Sequence, residues 1–207
     1  MIRVKVIVIG DEILNGQVAD TNTGEIARRI SAIGGRVVAA EVVGDSPADM
    51  EKAVTQALAD LGVDVVMTTG GLGPTKDDMT KQVLCRLSGS TLKLDPDALA
   101  NVERVMAERG LPVNSLTSTQ AMLPDHCVAI PNSCGTAPGM LFEINGKLLV
   151  AMPGVPFETS AMLSGPVVAL LGERFSPDVV YTRRTVLLVG IPESDVAERI
   201  ASWEDSL

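Results

Sequence analysis

Three runs of β-branched and aliphatic residues, Arg3–Ile9, Arg36–Val43 and Val63–Thr69, alternate with stretches whose apolar positions recur at helical spacing. That alternation constrains the fold more than any other feature. Ile26, Ala27, Ile30 and Ile33 mark one helix, which starts at Asn22 and stops at Gly34-Gly35. Ser46-Pro47 caps another that runs to about Leu61, with Pro in its first turn. Strands separated by single helices imply right-handed crossovers and a mostly parallel sheet covered on both faces. The expectation is an α/β chain of three layers, a sheet between two helical layers.

Downstream the pattern changes. Helices are predicted near Asp95–Arg109 and Thr117–Met122, and short strands at Ala129–Pro131 and Met140–Ile144. Asn145-Gly146 is a strong hairpin turn leading into Lys147–Met152. A helix from Phe157 carries Gly165-Pro166, which is expected to kink or split it before Arg174. Val179–Val189 reads as a further strand and Glu193–Trp203 as a further helix. The expected division is a main domain over 1–172 and the start of a second small α/β unit over 173–207.

Composition narrows the function. Twenty-six acidic against 17 basic residues and only five aromatics (one Trp, one Tyr, three Phe) remove the footprint of most nucleic-acid binders. A single histidine, His126, excludes sites built from several imidazoles, so any metal must be held mainly by oxygen. Its place in a loop after Asp125 reads as structural. Cys85, Cys127 and Cys134 show no redox or zinc spacing, which fits a reducing cytoplasmic compartment. With no signal peptide and no transmembrane-length apolar run, the chain is expected to be soluble, with neither nucleic acid nor membrane among its partners.

The segment with most chemical content is Thr69-Gly70-Gly71-Leu72-Gly73-Pro74-Thr75-Lys76-Asp77-Asp78-Met79-Thr80-Lys81, between a strand and a helix. Glycines let backbone N–H groups approach an anion, and the helix start adds a favourable dipole. It is neither a Walker A loop nor a dinucleotide fingerprint. The structural alternative is a tight turn with an Asp helix cap. A second loop, Gly10-Asp11-Glu12, ends the first strand, and loops at the carboxyl ends of neighbouring parallel strands converge on one crevice. Carboxylates gathered beside phosphate-binding amides suit a hard divalent cation, although each also reads as a solvated cap. Two loops of small residues, Gly135-Thr136-Ala137-Pro138-Gly139 and Met152-Pro153-Gly154-Val155-Pro156-Phe157-Glu158, leave room for a ligand or are plain turns.

In order and spacing, Gly10-Asp11-Glu12-Ile13-Leu14-x-Gly16, Asn22-Thr23, the 69–80 segment, Gly135–Gly139 and Pro153–Pro156 resemble the N-terminal domain of the competence/damage-inducible CinA proteins. The resemblance covers about residues 1–170. It implies the three-layer fold shared with MoaB and MogA and a metal-dependent pyrophosphatase activity on ADP-ribose or a related dinucleotide. It places the pyrophosphate on Gly70, Gly71 and Gly73, and puts Asp78 where the molybdenum-cofactor relatives have an essential acid.

On this reading Asp78, Asp77 and Lys76 are the catalytic candidates, with Asp78 as general base and Lys76 or Lys81 offsetting charge on the leaving phosphate. Thr75, Lys81, Asn22, Gly135, Thr136, Gly139, Pro153 and Gly154 join the three glycines as substrate-binding candidates. Asp11, Glu12 and Asp77 are expected to hold Mg²⁺, Mn²⁺ or Co²⁺, and the partner is a nucleotide-sugar substrate bound by a homo-oligomer. Asp20 stands where relatives tend to have Asn, and Thr119 where they have a basic residue before Gln120-Ala121. Many CinA proteins carry an amidase domain that this chain does not supply. The rival reading is a molybdopterin-binding protein or transferase; a third is a catalytically silent scaffold.

Overall fold

The computed structural model describes residues 1–175 and 184–206. Strand β1 (Ile2–Ile9) leads through a single helical turn, α1 (Asp11–Leu14), to α2 (Asn22–Ala32). β2 (Gly35–Val43), α3 (Pro47–Ala59), β3 (Val65–Thr69) and α4 (Thr80–Ser88) continue the alternation. An excursion then runs through β4 (Leu92–Leu94), α5 (Pro96–Glu108), α6 (Ser115–Ser118), a 3-10 turn at Thr119–Ala121 and β5 (Met122–Pro124). The chain returns as β6 (Val128–Ile130), β7 (Gly139–Ile144) and β8 (Lys147–Met152), followed by α7 (Pro156–Met162) and α8 (Val168–Phe175), and ends in α9 (Glu193–Glu204).

The main sheet has the order β2-β1-β3-β8-β7-β6. Its first three pairings are parallel, and β7 with β8 and β6 with β7 are antiparallel. The sheet is therefore mostly parallel, as expected. Strand alternation sorts its side chains into two cores. Ile7, Ile9, Val66, Leu149 and Phe142 pack with Met50 and Val54 of α3 and Leu84 of α4, while Val4, Val6, Met67 and Val150 pack with Ile26 and Ile30 of α2 and Leu163 and Leu171 near the C-terminus. Three layers result.

Several expectations need correction. The predicted helix at Thr117–Met122 is a one-turn helix and a 3-10 turn, with Met122 already opening β5. β4 and β5 form a separate antiparallel pair that the sequence reading missed, because three residues are too few to show a period. At Gly165-Pro166 the α-helix is split, as expected, but not by a break in the chain's helical course: Pro166 lies in a π-helical stretch, Leu163–Val167, between α7 and α8, which widens the turn around a residue that has no N–H to donate. Residues 179–183 of the predicted Val179–Val189 strand lie outside the described residues, and 184–189 carry no strand. Val186, Leu187 and Val189 are exposed there, and α9 buries no side chain.

Candidate functional site

β1 and β3 run parallel and end together, which brings Gly10 beside Gly70 at their carboxyl ends. Gly70 has φ of 109°, and a Cβ built there would lie 2.1 Å from the Ile9 carbonyl oxygen. Only glycine passes so close to the neighbouring strand. Its own N–H donates to the Met152 carbonyl at 3.1 Å, so this amide serves the sheet and is not available to a ligand. The N–H groups of Gly71, Leu72 and Gly73 have no hydrogen-bond partner among the described residues. Unengaged amides in a turn of this kind are available to an anion.

These groups line a cleft of about 470 Å³. Gly70, Gly71, Gly73, Asp77, Asp78, Glu12, Thr136, Pro153 and Gly154 border it, so the four loops singled out in the sequence converge. The remaining candidates lie behind or beside it. Asn22 is buried and donates to the Gly154 carbonyl at 2.9 Å, fixing the Pro153-Gly154 loop instead of facing the cleft. Thr75 donates from its backbone N–H (2.9 Å) and its Oγ1 (2.6 Å) to Asp78 Oδ2, which closes the loop on itself. Lys76 is exposed and outside the lining. Gly139 opens β7, and Gly135 lies against the Glu158 carboxylate.

Lys81 needs a firmer correction. Its side chain is buried at 8% exposure, and its Nζ donates to the carbonyls of Thr119 (3.1 Å) and Gln120 (3.4 Å). Burial lowers its pKa to about 8. A lysine committed to two carbonyls inside the fold does not offset charge on a leaving phosphate; it anchors the 3-10 turn.

The expected cation ligands are also dispersed. Asp11 turns to the loop after β2, exchanging hydrogen bonds with Asp45: its N–H donates to Asp45 Oδ2 at 3.0 Å, and its Oδ1 accepts from the Asp45 N–H at 3.4 Å. Among the described residues no three His, Cys, Asp or Glu side chains form a ready-made metal cluster. What borders the cleft is five carboxylates, Glu12, Asp45, Asp77, Asp78 and Glu158, and no Lys or Arg among the described residues.

Sequence reasoning missed four residues. Asp45 ends β2 as Asp11 ends β1, and the same strand-end logic finds it. Glu158 stands in the first turn of α7 and is 8% exposed. Asn132 holds it: Nδ2 donates to Glu158 Oε2 at 2.7 Å and to the Ala137 carbonyl at 2.8 Å, while Oδ1 accepts the N–H groups of Cys134 and Gly135 at 3.0 Å. Nothing local marks the hold on Glu158, since that partner alone comes from a separate helix, α7. The fourth is Gln120, on the cleft wall and 1% exposed, with neither amide atom hydrogen-bonded. His126, by contrast, is exposed and lies 3.2 Å from the Ser88 carbonyl through Nδ1, in keeping with its structural reading.

Known proteins resemble the chain in sequence and fold. Residues 5–172 match the family described as "Probable molybdopterin binding domain". The chain belongs to this family. Within it, the chain is a CinA-type N-terminal domain of MoaB/MogA-like fold. It is 40% identical over its whole length to a CinA-like protein of Chlorobium luteolum and 37% identical over 98% of its length to one of Cytophaga hutchinsonii, covering 48% of each. The CinA-type domain thus spans about half the length of these relatives. The crystal structure of CinA from Thermoplasma acidophilum is 32% identical, with a TM-score of 0.70 over 83% of this chain and 96% of that one. MoaB from Thermus thermophilus shares the fold, with a TM-score of 0.59 at 20% identity over 85% of this chain and 95% of that one.

Proposed function

We propose that this CinA-type domain hydrolyses the diphosphate bond of ADP-ribose or a related dinucleotide in the presence of a divalent cation. The observation that carries the reading is the pairing of three unengaged amides, Gly71, Leu72 and Gly73, with a cleft wall made of carboxylates. An amide donating to a charged oxygen contributes about 1.5–3 kcal/mol. A carboxylate about 6 Å from a phosphate charge costs about 3 kcal/mol at an effective dielectric near 20. Carboxylates at that range oppose the amides, and a cation beside the diphosphate would relieve the repulsion.

The donor set fits such a cation. Glu12, Asp45 and Asp77 on the cleft wall offer hard oxygens of the kind such a cation takes, and because they do not form a ready-made cluster, a cation here would be held by one or two of them together with substrate oxygens and water. A bound Mg²⁺, Mn²⁺ or Co²⁺ supplies polarisation of a phosphoryl oxygen and acidifies water. The chain's own residues do the rest. Gly71, Leu72 and Gly73 orient the diphosphate. Asp78, held by Thr75 through Oδ2, has Oδ1 left to take the proton of the attacking water. Water adds to one phosphorus, the bridging P–O bond breaks, and ADP-ribose gives AMP and ribose 5-phosphate.

Incubating the protein with ADP-ribose and each of the three cations, with AMP assayed by chromatography, tests the reading; release no faster with cation than with EDTA overturns it. The family description supports a second reading, in which the same amides hold the phosphate of molybdopterin. Parallel titrations with molybdopterin and ADP-ribose separate the two.

A further inference from the structure

Gln120 lines the cleft at 1% exposure, yet its Nε2 and Oε1 both lack a hydrogen-bond partner. Buried amides are almost always satisfied, and one with both ends unmet is an exception that calls for a reason. Loose placement does not supply it, since the turn beneath is pinned from two elements. Lys81 of α4 donates to the carbonyls of Thr119 and Gln120, and the Asp95 N–H at the start of α5 donates to the Ala121 carbonyl at 2.9 Å. The backbone beneath the amide is held in place, while the buried side chain keeps one donor end and one acceptor end unmet.

A phosphate offers only acceptors and satisfies half of such a group. A planar heterocycle with a donor and an acceptor side by side on its edge satisfies both, in the way Gln pairs with the N6/N7 edge of adenine. The cleft lining also includes apolar Leu72, Ala137 and Val155 for a flat ring, and no aromatic side chain among the described residues. We propose that Gln120 reads the heterocycle of a phosphorylated ligand by two hydrogen bonds along its donor–acceptor edge. This rests on the reading that the glycine loop binds that ligand's phosphate, and the ring chemistry is shared by adenine nucleotides and phosphorylated pterins.

The variants Gln120→Met and Gln120→Glu test it by calorimetric titration in the presence of Mg²⁺ with AMP, neopterin monophosphate and ribose 5-phosphate, which has no ring. The expected result for Gln120→Met is at least tenfold weaker binding of whichever heterocyclic probe the wild type takes, ribose 5-phosphate affinity within twofold, and an unfolding midpoint no lower than wild type. Gln120→Glu, which keeps an acceptor, falls between. Unchanged AMP and pterin affinity in Gln120→Met overturns the proposal, as does an equal loss for ribose 5-phosphate or the absence of any heterocycle binding to the wild type. ADP-ribose bound but not cleaved would instead count against the hydrolase reading and leave the role of Gln120 intact.

Discussion

Asp78 illustrates how one carboxylate serves two explanations. Its Oδ2 takes two hydrogen bonds from Thr75, which is what a loop cap does, and it lines the cleft, which is where a base belongs. Asp78→Asn separates the roles, because the amide oxygen still accepts from Thr75 but the side chain no longer takes a proton. We expect cation-dependent AMP release to fall about 100-fold or more with an unfolding midpoint close to wild type. Thr75→Val is expected to do the reverse, lowering stability by about 1 kcal/mol and costing little activity. At Gly70 the expectation is steric: Gly70→Ala pushes a methyl onto the Ile9 carbonyl at a φ of 109° and should cost about 3 kcal/mol or more in urea denaturation. The glycine-rich loop and its carboxylates were legible in the sequence because glycine and acid at a strand end have few other uses. Gln120 and Asn132 were not, since an amide's role depends on which distant carbonyls and side chains meet it.

At the scale of elements, α4 and the 3-10 turn are coupled through Lys81, and that coupling has a pH signature. The lysine's pKa falls to about 8 in the fold against 10.5 for the free group. Between those values the unfolded chain binds more protons, so this group makes stability rise with pH. Cys127, raised by burial from 9.0 to about 11, has the opposite effect: the unfolded thiol ionises first and stability falls over that range. The two oppose each other by about 2–3 kcal/mol each at most. Urea midpoints should therefore rise in the wild type between about pH 8 and 9, where Lys81 acts alone, and level off from 9 to 10.5, where the two groups oppose each other. They should climb in Cys127→Ala and decline in Lys81→Met; parallel curves for all three proteins refute the coupling. The main strands and helices were legible within a few residues, because hydrophobic period and glycine breaks mark them locally. β4, β5 and the π-helical stretch were not: the first two are too short to show alternation, and the third depends on how packing accommodates Pro166.

At the scale of the whole molecule, the chain spends 26 acidic side chains, and the structure puts five carboxylates around one cleft. On the proposed reading, that arrangement makes the cation a condition of substrate binding as well as of turnover. Equilibrium dialysis of ADP-ribose should show affinity lost in EDTA and recovered with Mg²⁺, and cation alone should raise the unfolding temperature by relieving repulsion. A cation that changes turnover without changing affinity would contradict this.

The sheet order carries a consequence for biosynthesis. β3 is a central strand whose neighbours are β1, made before it, and β8, made after the whole excursion from α4 to β7, with Val65 pairing Leu148 and Gly70 bonding Met152. While the ribosome is making that excursion, β3 has one side open and is a docking edge for chaperones or for another nascent chain. The glycine loop gains its final support only when Met152 arrives. Ligand capture by ribosome-stalled chains of increasing length should accordingly switch on past the last residue of β8, making the cleft a reporter of the completed central sheet.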